Sequence, residues 1–490
     1  MLNLSSLSQS CVKCAKCVPS CTIYQINRDE VTSPRGFVDL LGVYDKKNIN
    51  LDRNLKNIFE SCFLCTTCTT ICPQKIDTAA MIQKSRIDIA QKYGIAWYKK
   101  VYFYLLKHRK IMDFVFSLTS FVAPCVFKKN DDRLRSRFSI SSFGKRSIFP
   151  FQKKSFLQTY KGLIESKHKD SIGQDSKNLD SRIENLIDTP HSNCNKLISK
   201  SALLFPPLTN SSYKKPHFIS FRLIKDAKPY EKNSKTILRN KKVAIFIGCL
   251  SNYNYTQVGE SLLFILDKLG IDVLIPKQEC CGAPAYFTGD IKSVIFLIKK
   301  NIELFESFFD EIDAMIIPEA TCAAMIMVDW KHSLSYCEDS KHWIKRLEAL
   351  LPKIHMATEY LYNQTNLLEI LKTYNKKDIK ITYHDPCHAK KVLNIAKEPR
   401  AFIEANYNLL EMKECDRCCG FGGVSIQSEK YHLAYNAGIP KAKNILDSGA
   451  SIVSAECSAC RMQLNNALDN QQANIVFKHP LELVRESLRC

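Results

Sequence analysis

The sequence predicts an α/β protein in which an N-terminal α-helical domain precedes a duplicated, parallel βαβ domain with a pseudo-two-fold repeat. Three observations predict this fold. From Lys241 onwards, short runs rich in Val and Ile alternate with helical apolar periods, which is typical of parallel βαβ units. Cysteines recur at matched spacings in this C-terminal half. Two further matched groups of four cysteines lie between Cys11 and Cys72.

The composition is that of a globular protein in a reducing compartment. The chain has 490 residues, of which 45% are hydrophobic and 24% charged; this indicates about three domains and excludes disorder throughout. It contains 22 cysteines and has a formal net charge of +21. A disulfide-rich secreted protein would be shorter and would open with a signal peptide, and residues 1–10 lack a basic n-region. We therefore expect a cytoplasmic protein whose clustered cysteines bind metal or carry out redox chemistry.

Two copies of one cysteine motif define the domain predicted over residues 1–95. They are Cys11-x2-Cys14-x2-Cys17-x3-Cys21 and Cys62-x2-Cys65-x2-Cys68-x3-Cys72-Pro73. Three thiolates at x2 spacing surround one iron–sulfur cube, whereas the fourth ligates the neighbouring cluster. The spacing therefore predicts two [4Fe–4S] clusters, one on Cys11, Cys14, Cys17 and Cys72 and the other on Cys62, Cys65, Cys68 and Cys21.

Two structural zinc sites are the alternative, because C-x2-C pairs also suit tetrahedral zinc. Zinc does not account for the third and fourth cysteines at the same spacing in both copies, so iron–sulfur clusters are favoured. Cys21 is followed by Thr22 instead of proline, and a long spacer separates the two motifs. That separation is too long for a compact bacterial ferredoxin, so we predict a helical ferredoxin with a spacer.

A basic, partly apolar segment is predicted over residues 96–160. Residues 111–127 form an apolar run interrupted by Asp113 and Pro124, shorter than the roughly 20 apolar residues that a membrane span needs. We predict an interfacial helix on a phospholipid surface; a buried core helix and a solvated basic insertion are the alternatives. No nucleic-acid motif accompanies the charge, so nucleic acid is not an expected partner. Residues 161–240 are polar and predicted to be a linker or insertion.

Two cysteine-containing repeats follow, predicted over residues 241–370 and 371–490. Their motifs begin alike, with Cys249-x30-Cys280-Cys281-Gly282 and Cys387-x30-Cys418-Cys419-Gly420. The next cysteine of the motif is Cys322 in the first repeat and Cys457 in the second, at a similar distance from each doublet. We therefore predict an internal duplication, in which Met325 stands where the second repeat has Cys460.

Each cysteine of the repeats follows an apolar strand, where α/β sheets collect their ligands. Glycine after each doublet lets the backbone approach a bulky cluster. The predicted metal ligands are Cys249, Cys280, Cys281 and Cys322 in the first repeat and Cys387, Cys418, Cys419, Cys457 and Cys460 in the second. A disulfide or thiol-redox pair is the alternative for each set.

Polar residues flank Cys387. For His384, Asp385 and His388 we predict a polar turn in which backbone groups satisfy His384; the alternative is an imidazole that donates to cluster sulfur or moves a proton. Five cysteines lie outside the pattern and are predicted to ligate nothing: Cys125, Cys194, Cys337, Cys415 and Cys490.

The motifs CVKCAKCVPSC, CFLCTTCTTICP, ECCGAP, HDPCH, CCGFGG and AECSAC resemble those of iron–sulfur electron-transfer subunits that join a two-cluster helical ferredoxin to a duplicated cysteine-rich CCG domain. This family includes the iron–sulfur subunits of glycolate oxidase and of anaerobic glycerol-3-phosphate dehydrogenase. Lactate-utilisation iron–sulfur proteins and a subunit of heterodisulfide reductase share the CCG domain. The resemblance covers about residues 1–95 and 241–490.

The resemblance implies that the chain is a non-catalytic subunit beside an FAD-containing dehydrogenase, because no flavin or nicotinamide motif occurs in the sequence. The partner would oxidise a 2-hydroxy acid, glycolate or lactate. Electrons would pass through the two N-terminal clusters and a further cluster in the CCG domain towards quinone, at the cytoplasmic face of the inner membrane. The alternatives are the glycerol-3-phosphate dehydrogenase subunit, a heterodisulfide-reductase-like thiol/disulfide enzyme, and a zinc-binding assembly protein.

Overall fold

A computed structural model describes residues 3–130, 133–136, 146–165 and 241–489 of the chain. The predicted polar linker lies outside these residues from residue 166 onwards. Its first part, residues 161–165, forms the end of a helix.

The N-terminal domain is helical, as predicted. Its helices are α1 Leu4–Gln9, α2 Thr22–Asn27, α3 Pro34–Asp45, α4 Arg53–Glu60, α5 Thr67–Ile71 and α6 Thr78–Tyr93. Side chains of Ser33, Asp52 and Asp77 accept hydrogen bonds from the first-turn amides of α3, α4 and α6, which fixes where these helices begin. Phe37 and Phe59 lie in the core between the helices, each at most 1% exposed.

The segment predicted over 96–160 is folded against both repeats. It consists of α7 Trp97–Lys107, α8 Arg109–Val126, an antiparallel sheet of β1 Phe127–Asn130, β2 Arg133–Ser136 and β3 Ser147–Ile148, and α9 Phe156–Glu165. Arg133 forms a buried ion pair with Asp469 at 2.8 Å. Phe156 is fully buried against Gly259, where a Cβ atom would lie 2.6 Å from its ring. The three short strands were not predicted.

The two repeats contain parallel four-stranded sheets with the same strand order. The strands are β4 Lys242–Ile245, β5 Asp272–Leu274, β6 Ala314–Ile317 and β7 Ile354–Met356 in the first repeat, and β8 Lys380–Tyr383, β9 Asn408–Leu409, β10 Ile452–Ser454 and β11 Val476–Lys478 in the second. The orders β5-β4-β6-β7 and β9-β8-β10-β11 place the first strand between the second and third in each sheet. The predicted α/β duplication is therefore confirmed, although β7 was not predicted.

Helices cover the two sheets. In the first repeat they are α10 Cys249–Tyr253, α11 Thr256–Lys268, α12 Ala283–Thr288, α13 Ile291–Glu306, α14 Ala320–Ala324, α15 Trp330–Leu334, α16 Ser340–Leu350, α17 Ala357–Gln364 and α18 Leu367–Leu371. In the second they are α19 Lys397–Asn406, α20 Gly423–Glu429, α21 Tyr431–Asp447, α22 Ser458–Asn470 and α23 Pro480–Leu488. Single π-helical turns occupy Met325–Asp329 and His388–Val392. Because helices cover the sheets, residues such as Val243, Ala244 and Ile245 are fully buried.

The strand pairing shows that the predicted alignment of the repeats is wrong at its end. Val243 pairs with Ala314 in the first sheet, and Ile381 pairs with Ile452 in the second. Val243 is therefore equivalent to Ile381 and Ala314 to Ile452, and both equivalent pairs are separated by the same number of residues, which is the offset between the repeats. The same offset places Cys322 at the position of Cys460, not Cys457. The prediction was wrong because it treated the first cysteine after each doublet as equivalent in the two repeats. Equivalent positions are instead those that lie at the same place relative to the paired strands.

The residue that replaces the fifth cysteine of the first repeat is consequently Glu319, at the position of Cys457. Met325, which the sequence placed opposite Cys460, is fully buried in the hydrophobic core at the start of the π-helical turn. The first repeat therefore has four cysteines and a carboxyl group where the second has five cysteines.

Candidate functional site

The first predicted cluster site brings thiols from both N-terminal motifs together. Burial raises the pKa of Cys17, and the charges of Cys11, Cys72 and Cys14 raise it further, so the four predicted ligands are neighbours. Cys14 is exposed to solvent. Lys13 and Ala15 flank it in the left-handed region, with φ of 52° and 60°, and this bends the chain so that the three x2-spaced thiols face one point.

The second predicted site has the same local geometry. Leu64 and Thr66, on either side of Cys65, have φ of 53° and 57°. Burial raises the pKa of Cys21 to about 12, with further contributions from Cys65 and Cys62. The pKa of Cys68 is raised by burial and by the charges of Cys62, Cys65 and Cys21. Each site thus takes three thiols from one motif and the fourth from the other, and the ligand assignment itself stays a prediction.

The second repeat gathers its five cysteines at the carboxyl ends of β8, β9 and β10, where the strand order reverses. All five are at most 8% exposed. The Sγ atoms of Cys419 and Cys460 are 3.4 Å apart, and the Gly420 amide donates to the Cys418 sulfur at 3.4 Å. Gly420 has φ +90°, and a Cβ there would lie 2.4 Å from that of Ala437. Only glycine fits, which explains the doublet-glycine motif.

Cys65 of the N-terminal domain reaches this second-repeat site. Cys65 packs against the buried cluster that contains Cys387 and Cys418, so thiols of the two domains are in direct contact. Hydrogen bonds from these two thiols lower the pKa of Cys65 well below its usual value. Lys391 strengthens the junction by donating to the Thr67 hydroxyl at 2.6 Å and to a carbonyl of its own repeat. No local sequence pattern predicts this contact, because the partners belong to distant parts of the chain.

The first repeat has the same arrangement of thiols as the second, but with four cysteines. The sulfurs of Cys281 and Cys322 are 3.4 Å apart, and the Gly282 amide donates to Cys280 at 3.4 Å. Cys249 contacts Cys280; this hydrogen bond and burial raise the pKa of Cys249. Buried, adjacent thiols are the donors that iron–sulfur clusters require, and both repeats fit such a group.

Glu319 connects the two repeats. Its carboxyl group accepts the Ser458 amide of α22 at 2.8 Å and the hydroxyl groups of Ser251 and Ser458. Burial raises the pKa of Glu319. A Cβ at Gly248 would lie 2.7 Å from the Cys322 sulfur and 3.3 Å from the Glu319 Cγ, so glycine is needed where the carboxyl and the thiol meet.

Replacing Glu319 by alanine is expected to loosen α22 beside Cys457. The Ser458 amide and two hydroxyl groups lose their acceptor in a buried place, which costs about 2–4 kcal/mol. Hydrogen exchange in the first turn of α22 measures the free energy of local opening. The control is Glu303→Ala, because Glu303 is half exposed beside Lys300 and should change stability by less than about 0.5 kcal/mol. Equal protection in both variants would contradict the role of Glu319.

The predicted polar turn around His384 is confirmed for one of the two ring nitrogens, because only Nδ1 has a backbone partner. His384 Nδ1 lies 3.1 Å from the Cys415 carbonyl oxygen. Although burial opposes ionisation of Asp385, Arg400 at 2.6 Å and Lys390 at 2.8 Å hold the pKa of that carboxyl down at about 2. Lys441 is fully buried nearby and donates to the Cys415 carbonyl at 2.9 Å. Burial lowers the pKa of Lys441 to about 8; no motif in the sequence singles out this lysine.

A buried arginine joins the N-terminal domain to the first repeat. Arg86, on α6, donates to the Phe287 carbonyl at 2.7 Å and to the Cys62 carbonyl at 2.5 Å. Gln83, one turn earlier, donates to the Tyr286 carbonyl. The Arg86 backbone also packs on Gly289, where a Cβ would lie 2.2 Å from the Arg86 oxygen. The N-terminal domain therefore contacts both repeats.

Helix α8 has two apolar faces. Met112 and Ala123 are buried, Met112 within the hydrophobic core of the repeats, and Phe116 packs on Tyr253 with ring centroids 4.7 Å apart. The opposite face exposes Ile111, Phe114, Leu118, Phe121 and Val122, with Phe121 79% exposed. The core-helix alternative is therefore right for one face of α8, whereas the interfacial helix stays a prediction for the exposed face. No helix in the described part of the chain is long and apolar enough to cross a membrane.

Comparisons with known proteins agree with these sites. Residues 243–327 and 381–465 match the family described as "Cysteine-rich domain" (CCG), and residues 8–76 match the "4Fe-4S dicluster domain". The two CCG matches have the same offset from each other as the strands, at both of their ends. The structure and these matches define the chain as an iron–sulfur protein.

More narrowly, the chain joins a helical N-terminal domain that matches the dicluster domain to two repeats that match the CCG domain. It is 28% identical over 250 residues to "Lactate utilization protein A" of Exiguobacterium sp., covering 50% of this chain and 98% of that protein. It is 29% identical to uncharacterized iron-sulfur proteins of Methanococcus maripaludis and Methanocaldococcus jannaschii over 49% and 46% of this chain. The chain spans only 44% and 42% of the length of these two archaeal proteins.

Proposed function

We propose that this chain carries electrons for a partner FAD-containing dehydrogenase that oxidises a 2-hydroxy acid, and passes them through the N-terminal clusters into the second repeat and on towards quinone. The observation that carries the proposal is the contact of Cys65 with Cys387 and Cys418. The similarity to a lactate utilization protein over nearly its whole length favours lactate over glycolate as the substrate of the partner.

The contact at Cys65 matters because electron transfer needs carriers that are close together. Bound iron–sulfur clusters would supply one-electron carriers at these sites. Cys65 belongs to the thiol set of the N-terminal domain and touches the thiol set of the second repeat, so no layer of protein separates the two. Lys391 holds this junction by bonding Thr67. The N-terminal domain therefore delivers electrons to the second repeat.

The difference in solvent exposure between the thiol sets indicates the direction of electron transfer. Cys14, in the thiol set remote from this junction, is exposed, whereas Cys387 and Cys418 are buried. A flavoprotein partner would dock over the exposed set around Cys14. The depth of the second-repeat thiols also counts against the heterodisulfide-reductase-like alternative, in which a disulfide substrate must reach them.

Purification of the tagged chain from its native cells under anaerobic conditions tests this function. We expect an FAD-containing subunit to co-purify and to reduce the chain when a 2-hydroxy acid is added. Reduction by glycerol 3-phosphate instead would replace this proposal with the glycerol-3-phosphate dehydrogenase alternative. A chain that reduces disulfides by itself, with loss of this activity in Cys418→Ser, would overturn the proposal.

We also propose that the outer face of α8 lies on an anionic phospholipid surface. The face presents apolar side chains at positions 111, 114, 118, 121 and 122, which follow the helical period. Lys110 and Lys128 are exposed at its two ends. Apolar burial combined with flanking cations is the pattern of a helix that lies in a membrane interface.

The double variant Phe114→Ser/Phe121→Ser is expected to bind vesicles containing phosphatidylglycerol at least about tenfold more weakly, because two large side chains no longer leave water. Sedimentation of the purified chain with these vesicles measures the binding. The control is Val328→Ser, which removes a 46% exposed apolar side chain in the first repeat. Unchanged sedimentation of the double variant would show that α8 is not the membrane contact.

A further inference from the structure

The second repeat contains a buried imidazole nitrogen that faces cysteine thiols. His384 is fully buried at the end of β8, its Nε2 atom has no hydrogen bond of ordinary length among the described residues, and the Cys419 thiol interacts with the ring. The imidazole lies beside two of the predicted ligands, because a ring nitrogen and the sulfurs of Cys419 and Cys460 all lie within 4.8 Å of one another. This nitrogen faces the thiols of the candidate cluster site.

The hydrogen bond on the other side of the ring fixes its protonation. His384 Nδ1 faces the Cys415 carbonyl oxygen, which can only accept. Lys441 donates to the same oxygen at 2.9 Å, so that oxygen is held in place. The hydrogen atom of the neutral imidazole is therefore on Nδ1, and Nε2 carries a lone pair directed towards Cys419 and Cys460.

We propose that His384 Nε2 is a metal ligand in the second repeat, together with Cys419 and Cys460. This inference rests on the proposed iron–sulfur cluster at that site. Imidazole is a suitable ligand for iron. A histidine that binds metal through one nitrogen nearly always donates its other N–H to a carbonyl or carboxylate, which is the arrangement at Cys415.

The alternative role is an imidazolium that donates a hydrogen bond to cluster sulfur. That role needs a proton on both nitrogens. The buried amine of Lys441 already bonds the same Cys415 carbonyl oxygen, and a second cation buried beside it would be unfavourable. The neutral ring, with its lone pair on Nε2, is therefore the favoured form, and it can bind metal but cannot donate to sulfur.

The first repeat supplies an internal comparison. The offset between the strands of the two sheets places Phe246 at the position of His384 and Glu319 at the position of Cys457. The nitrogen ligand is consequently a property of the second repeat alone. Histidine in place of thiolate raises the reduction potential of an iron–sulfur centre, so a histidine-bound cluster at the end of the route from Cys65 would draw electrons towards the second repeat.

Pulsed EPR of the full chain labelled with ¹⁵N-histidine tests this ligand. The Cys280→Ser background removes a predicted ligand of the first repeat, so the CCG signal comes from the second. We expect a strong nitrogen coupling that changes with the label and disappears in His384→Gln. The matched control is His388→Gln, on the following turn, which should retain the coupling. The reduction potential of the signal should fall in His384→Cys.

The outcomes separate the two proposals. The ligand assignment is overturned if the labelled protein has a second-repeat cluster signal without strong histidine coupling. It is also overturned if the coupling persists in His384→Gln. Either result leaves the electron-transfer function intact. The labelled protein that retains His384 tests the ligand assignment even if His384→Gln does not assemble a cluster. Absence of iron and acid-labile sulfide from the second repeat overturns the proposed function itself.

Discussion

Replacing Cys65 by serine is expected to disable electron transfer between the N-terminal domain and the second repeat. Cys65 is the thiol that belongs to one predicted cluster site and also touches Cys387 and Cys418 of another. The variant should lose the signal of its own cluster, shift that of the second repeat, and slow reduction of the second repeat by about 10- to 100-fold. Stopped-flow reduction with freeze-quenched EPR measures both effects.

The matched control is Cys68→Ser. Cys68 belongs to the same predicted cluster, but the thiols around it are Cys62, Cys65 and Cys21, all of the N-terminal domain. This variant should also lose the N-terminal cluster signal and slow reduction of the second repeat, because the same cluster is lost, but it should not shift the spectrum of the second repeat. Equal shifts of that spectrum in both serine variants, or no slowing of its reduction in either, would contradict the role of Cys65.

Replacing Arg86 by methionine is expected to cause the largest loss of stability. The guanidinium group is buried and donates to carbonyl groups of Cys62 and Phe287 in two different domains. Methionine fills a similar volume but donates nothing, and each buried carbonyl left unbonded costs about 1–3 kcal/mol. We expect the free energy of unfolding of the N-terminal domain to fall by about 3–5 kcal/mol, measured by urea denaturation monitored through cluster absorbance.

The control is Lys84→Met on the same helix. Lys84 pairs with Asp88 one turn away, and both side chains are partly exposed, so the cost should stay below about 1 kcal/mol. Because Arg86 also bonds the first repeat, its replacement should expose the sites near Phe287 to proteolysis. Similar stability of the two variants would show that Arg86 does not hold the domains together.

The sequence predicted the parts of the structure that depend on local pattern. Cysteine spacing identified which N-terminal motif supplies the fourth thiol of each set, and strand–helix alternation located most strands of both repeats. Strand β7 was missed because it is very short, with half-buried His355 at its centre. Met325 was predicted to be equivalent to Cys460 because the prediction counted cysteines and did not use the strand register. The strand pairs show that equivalent residues of the two repeats are separated by one constant offset.

The contacts that join the domains were not predictable from the sequence. Arg86 and Phe287 are 201 residues apart, and Lys391 and Thr67 are 324 residues apart, so no local pattern connects them. Lys441 lies in α21, where an amphipathic helix normally keeps its lysines in solvent; only the fold brings its amine to the Cys415 carbonyl. The role of His384 likewise depends on the neighbours that the sheet brings together.

EPR spectroscopy of the anaerobically purified full chain at stepped reduction potentials tests the central claim most directly. The account predicts two interacting [4Fe–4S] signals from the N-terminal domain and a further signal that is lost in Cys418→Ser. The further signal should broaden when the N-terminal clusters are reduced, because Cys65 places one of them against the second repeat. A chain that binds zinc without acid-labile sulfide, or a second-repeat signal indifferent to the N-terminal clusters, would contradict the account.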